Sequence, residues 1–155
     1  MTQHCRLTTG PIDPRQAEAA VGGPDRGAVA SFLGVVRDHH AGRRVRRIEY
    51  HAYAPMAEAM LRQVAAEAAE RFGTPHVAIV HRTGDLEVGE ASLHVVVAAV
   101  HRREALAACA FIVDEVKARA PIWKKEFGED GTFWIEGPDG CRAAEPRPLR
   151  PADGG

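Results

Sequence analysis

The stretch HVAIVHRTGDLEVGEASLHVVVAAVH, His76 to His101, decides how the rest of the chain is read. HVAIVHRTG and SLHVVVAAVH are β-branched, apolar runs of strand length, and GDLEVGE between them has the glycines and acids of a turn. So short a link makes the two strands antiparallel neighbours, because a parallel pair needs a crossover of a dozen or more residues. On the N-terminal side, Met56, Met60, Leu61, Val64 and Ala68 recur at helical spacing from Pro55 to Phe72, and Gly73 ends the run. On the C-terminal side a helix from about Arg103 to Ala120 stops before Pro121. IWKKEF, a turn at GEDG and the strand TFWIE follow. Nearer the start, CRLTT reads as a strand, and Asp13 caps a small helix with Pro14 at its first position. GAVASFLGVV and VRRIEYHAY read as strands joined by RDHHAGRR, which suggests a hairpin. Helices interleaved with antiparallel hairpins predict an α+β domain rather than a doubly wound sheet. Residues 1–136 form this single domain, and the Pro-, Arg- and Gly-rich stretch from 137 to 155 is expected to be a mobile tail.

Bulk properties narrow the function. A net charge of -1 and a pI near 6.7 argue against general nucleic-acid or membrane-surface binding. RDHHAGRRVRR is basic but lacks interleaved aromatics, so it reads as a solvated hairpin tip. MTQHCRLTTG has no signal-peptide pattern and no apolar run reaches the ~18 residues of a membrane span, so a soluble, cytoplasmic protein is expected. Cys5, Cys109 and Cys141 form no CxxC pair, and no histidine falls in an HExxH pattern, so no metal site is expected. Cys109 reads as a small core residue, and Asp85 and Glu87 as acids of a surface turn.

The lysines carry the sharper signal. All three, Lys117, Lys124 and Lys125, lie in KARAPIWKKE, and the other seventeen of the twenty basic residues are arginine. An ammonium can lose its proton when desolvated, whereas a guanidinium stays charged, so the clustering points to amine chemistry. On the predicted helix Lys117 falls within a stripe of Leu106, Cys109, Ala110, Val113 and Ala120, where burial would disfavour its charged form. Lys124 follows after Pro121 redirects the chain, and both amines can reach one pocket. Only one of Lys124 and Lys125 can face inward on a strand, and the sequence leaves open which. Two HR pairs, His81-Arg82 and His101-Arg102, end apolar strands; with Arg37 they suggest a shared grip on a phosphate or carboxylate. A Schiff-base lyase using Lys117 and a non-enzymatic module docking an acidic tail are the rival readings.

FLGVVR (Phe32–Arg37), YHAYAPMA (Tyr50–Ala57), HRTGDLEVGE (His81–Glu90), AVHRREA (Ala99–Ala105), VKARAPIWKKE (Val116–Glu126) and DGTFW (Asp130–Trp134) occur in this order. Together they resemble the large, catalytic subunits of molybdopterin synthase, the MoaE family. The resemblance implies an α/β hammerhead-like fold with an additional antiparallel β subdomain. It also implies a sulfurtransferase of molybdenum cofactor biosynthesis. Such an enzyme moves sulfur from the C-terminal Gly-Gly thiocarboxylate of a small ubiquitin-like carrier to cyclic pyranopterin monophosphate, without metal or organic cofactor. A homodimer within a heterotetramer is implied as well. By motif, Lys117 and Lys124 match the catalytic pair, and Phe32, Arg37, His101 and Arg102 match pocket residues. Lys125 and Arg82 are added as candidate substrate contacts. Two positions depart from the pattern: His51 stands where an acidic residue is common, and no arginine precedes Arg142 after Trp134. The terminal Gly154-Gly155 mimics the donor's own tail, although small residues are ordinary at a chain end.

Overall fold

The computed structural model describes residues 2–129, 131–135 and 147–148. A four-stranded sheet has the order β1 (Thr2–Thr8), β5 (His76–Arg82), β7 (Ala91–Ala99), β2 (Ala28–Val35). β1 runs parallel to β5, and the other pairs are antiparallel. The β5–β7 pair is the neighbour relation that the opening stretch predicts. Val77, Ile79, Val95 and Val97 point to one face, where α2 (Ala54–Phe72) and α3 (Arg102–Arg119) cover them with Leu61, Val64, Ala105 and Ile112. Their alternates Ala78, Val96 and Ala98 meet Ala17 and Val21 of α1 (Pro14–Val21) on the other face.

The helix ends follow their sequences. The Asp13 side chain accepts a hydrogen bond from the Arg15 N–H at 3.0 Å, and Pro14 opens α1. Gly73 ends α2 with φ 65°, a left-handed conformation that favours glycine. The stripe of α2 is Ala57, Leu61, Val64, Ala65 and Ala68, so Met56 of the predicted set stands exposed. No helix among the described residues is long and apolar enough to cross a membrane.

A second sheet has the order β10 (Arg147–Pro148), β9 (Gly131–Ile135), β8 (Ile122–Gly128), β4 (Arg43–Ala52), β3 (His39–His40), and β6 (Gly84–Glu87) also pairs with β4. Val36, Val45, Ile48 and Leu86 form its core. Two expectations are corrected here. The strands flanking RDHHAGRR do not pair as a hairpin: β2 lies beside β7 in the first sheet, and β4 beside β8 and β6 in the second. The linking loop gives β2 and β4 separate partners, so each buries its apolar face in a different core. GDLEVGE is likewise more than a surface turn, because Gly84–Glu87 is a strand whose Leu86 is fully buried. Of the expected tail, Arg147 and Pro148 pair with Trp134 and Phe133, while Arg142 and Gly154-Gly155 lie outside the described residues.

A small hairpin does exist inside the loop. His40 pairs with Arg43 across Ala41 and Gly42, whose φ angles of 49° and 76° fit a type I′ turn. Alanine is strained there and Asn-Gly is the favoured pair, so Ala41→Asn is expected to raise stability by roughly 0.5–1 kcal/mol. Thermal unfolding of the two proteins side by side checks this.

Candidate active site at the junction of the two sheets

The C-terminal end of α3, the start of β8 and the ends of β5 and β7 meet around a cavity of about 370 Å³. Lys117, Lys124, His81, Tyr50, Trp123 and Gly34 are among its lining residues. The break at Ala120-Pro121 lets the two lysines approach from different elements, one from a helix and one from a strand. An adjoining recess of about 40 Å³ shares Lys117, Lys124, Tyr50 and Gly34 and adds Arg37, His40 and Glu126.

The reason Lys117 reaches this cavity differs from the predicted one. The buried stripe of α3 is Ala105, Ala108, Cys109, Ile112 and Val116, and Leu106 is 62% exposed. Lys117 is therefore on the flank of the stripe, half-buried, rather than at its centre. Its position at the last turn of the helix, above the β8 junction, directs it to the cavity.

On β8 the alternation settles which lysine faces inward. The Lys124 side chain is 11% exposed, lines the cavity and lies 3.8 Å from Glu126. The Lys125 ammonium instead stands over the rings of Phe127 and Trp134, at 5.2 and 5.5 Å from their centroids. It is not among the cavity-lining residues. Phe32 packs against the core of the first sheet, beside Gly34 of the cavity wall.

The shared anion grip expected from the two HR pairs and Arg37 does not assemble within one chain. Arg37 lines the recess, but Arg82 is paired with Glu90 at 3.4 Å and does not line the cavity. His101 and Arg102 are exposed at the start of α3, and Lys117 is near its end. At about 1.5 Å per residue that is roughly 22 Å of helix axis. A phosphate held by His101 and Arg102 thus belongs to a different place from the lysine cavity of the same chain.

Three site residues escaped the sequence reading. His81 was read only as half of a basic pair, yet it is buried, lines the cavity and meets the Tyr50 ring edge-on at 5.0 Å. Its Nδ1–H donates to the Arg82 carbonyl at 2.9 Å. Burial pushes its pKa down to about 4, and the Lys117 charge adds to the shift. The unfolded histidine takes its proton near pH 6.5, so the stability contributed by keeping it neutral is complete above that pH. It is lost as pH falls toward 4, where the loss reaches roughly 3 kcal/mol. Urea unfolding at pH 7 and pH 4.5 should reveal that loss in the wild type and a flatter response in His81→Gln.

Glu126 and Tyr50 are the other two. Glu126 is 3% exposed and is surrounded by His40 at 3.0 Å, Arg43 at 3.6 Å and Lys124 at 3.8 Å. A buried charge has to be paired, and a glutamate two positions after an inward-facing lysine shares its face of the strand; that alternation was the available signal. His51, at a departing position, pairs with Glu49 and packs at a tilt against Trp134, with ring centroids 5.3 Å apart.

Two amines and a neutral histidine line one cavity of this α+β fold, and a buried carboxylate lines the recess beside it, a set of groups able to bind an anion and move protons. Residues 7–119 match the MoaE protein family, and the chain belongs to it. The molybdopterin synthase catalytic subunit of Pyrococcus abyssi is 49% identical over 122 residues, covering 79% of this chain and 82% of that one. Catalytic subunit 1 of Mycobacterium tuberculosis is 39% identical over 132 residues, covering 85% and 90%. Among solved structures, molybdopterin synthase from Staphylococcus aureus superposes with a TM-score of 0.80 at 36% identity, over 84% of this chain and 95% of that one. A complex of subunits 1 and 2 of molybdopterin-converting factor from Helicobacter pylori shares the fold, with a TM-score of 0.67 at 22% identity over 83% and 88%.

Proposed function

We propose that this protein is the catalytic subunit of a molybdopterin synthase. It transfers sulfur from the C-terminal thiocarboxylate of a small carrier protein to cyclic pyranopterin monophosphate, forming the dithiolene of molybdopterin. The observation that carries the reading is the convergence of Lys117 and Lys124 on one cavity from α3 and β8. Family membership supports a role in molybdenum cofactor biosynthesis. The two-subunit Helicobacter pylori complex supports a small partner subunit.

In this reading the thiocarboxylate sulfur attacks a pterin carbon, the carbon–oxygen bond breaks, and water later hydrolyses the acyl link to the carrier. Lys117 Nζ gives a proton to the departing oxygen and stabilises its developing charge. Lys124, on the same cavity, supplies a second cation. Arg37, on the recess, holds the substrate's anionic end. His81, neutral near pH 7, adds no third positive charge to the cavity. His101 and Arg102 lie too far along α3 to join them from the same chain, so in a homodimer they serve a site completed by the second copy.

Single-turnover conversion of the pterin by this protein with a thiocarboxylated carrier tests the function. Formation of molybdopterin is expected. Absence of product with a carrier and substrate that a characterised synthase accepts would overturn the reading.

A further inference from the structure

We propose that His40 is a positioning residue for Lys124, acting through Glu126 and tying that lysine to the loop that carries Arg37. The proposal rests on the sulfur-transfer reading for its consequence in turnover, but not for its geometry. The Glu126 carboxylate divides its two oxygens. Oε1 accepts from His40 Nδ1 at 3.0 Å and has Arg43 Nη2 at 3.6 Å, whereas Oε2 faces Lys124 Nζ at 3.8 Å. Of these three neighbours only His40 stands at ordinary hydrogen-bond distance, so it fixes the rotation of the carboxylate.

A carboxylate already engaged on one oxygen is a weaker partner for an ammonium on the other, so Glu126 holds Lys124 loosely at the cavity wall. Without His40 the carboxylate is free to turn and close on Lys124, drawing the amine back into a tight buried pair. The surroundings support this division. The His40 and Glu126 side chains are 11% and 4% exposed, so water does not substitute readily for the histidine. The type I′ turn at Ala41-Gly42 places His40 opposite Arg43, and stacking of Arg43 on Phe133 at 4.1 Å anchors the far side of the turn. A strained turn held in this way is the expected form of a positioning device. Through it the loop bearing Arg37 and the strand bearing Lys124 share one recess.

The first readout is the rate of reductive methylation of Lys124 by formaldehyde and cyanoborohydride, followed by peptide mass spectrometry and normalised to Lys125 in the same chain. His40→Ala is expected to slow Lys124 modification about threefold, because the amine is withdrawn into its ion pair. His40→Asn places an amide nitrogen near the position of Nδ1 and should restore the wild-type rate, whereas His40→Gln, one carbon longer, should not. The second readout is turnover, where His40→Ala should lower the single-turnover rate about tenfold with little change in pterin affinity. Unchanged Lys124 methylation in His40→Ala, or equal rates in the Asn and Gln variants, overturns the proposal. If the alanine variant fails to fold, the Asn–Gln comparison decides alone. Methylation needs neither carrier nor pterin, so failure of the wild type to make molybdopterin counts against the proposed function and leaves this test standing.

Discussion

Lys117→Arg retains the fold and loses at least about 100-fold in single-turnover rate, the scale expected when a positioned proton-transfer group is removed. The substitution keeps the charge and changes its chemistry. Arginine cannot give up its proton near neutral pH, and its planar fork is larger than an ammonium. The fold should tolerate it because Lys117 is half-buried on the flank of the α3 stripe, outside the close-packed set ending at Val116. Circular dichroism and thermal unfolding establish the fold, and product formation by the variant with thiocarboxylated carrier establishes the rate. Wild-type turnover in Lys117→Arg would show that the cavity needs only positive charge, and the proton-transfer role would fall.

Glu126→Ala is expected to destabilise the protein by about 4 kcal/mol, because it removes the buried carboxylate that faces His40, Arg43 and Lys124 in a largely buried place. Glu126→Gln keeps the shape and the acceptor oxygen, so it should cost about half as much. The ordering separates charge pairing from packing: equal losses in the two variants, measured by urea unfolding at pH 7, would mean that volume matters and charge does not. Activity should fall in both, since Lys124 loses the partner that places it.

Much of the architecture was legible because local chemistry and tertiary packing agree. The β5–β7 pair follows from two apolar runs around a short turn, α2 ends at the predicted Gly73, and α3 stops where Pro121 requires. The errors arose where sequence neighbours are not spatial neighbours. β2 and β4 flank a short loop yet belong to different sheets, a choice made by long-range pairing with β7 and β8 that no local pattern encodes. The stripe of α3 was misplaced because alanines fill both faces of that helix; periodicity is weak when small residues are tolerated on either side. Within the site, the two lysines were visible from their unusual clustering. His81 and Glu126 were not, because burial of a polar group is a property of the assembled cavity. The His101-Arg102 pair matched its motif, but the motif records residue type and not the length of helix separating it from Lys117.

The division of the strands between the sheets has a consequence for how the molecule comes apart. Along the chain, β1 and β2 enter the first sheet, β3 and β4 the second, β5 the first, β6 the second, β7 the first and β8 to β10 the second. Neither sheet is a continuous piece of polypeptide, so no single cut releases one of them intact. Opening either sheet breaks the same crossings that hold the cavity walls, and a partly unfolded protein with a working site is therefore not available. Heat or denaturant should remove structure and activity together in one transition. The many distant pairings also place this chain among slow folders, in which both edges of the lysine cavity form late.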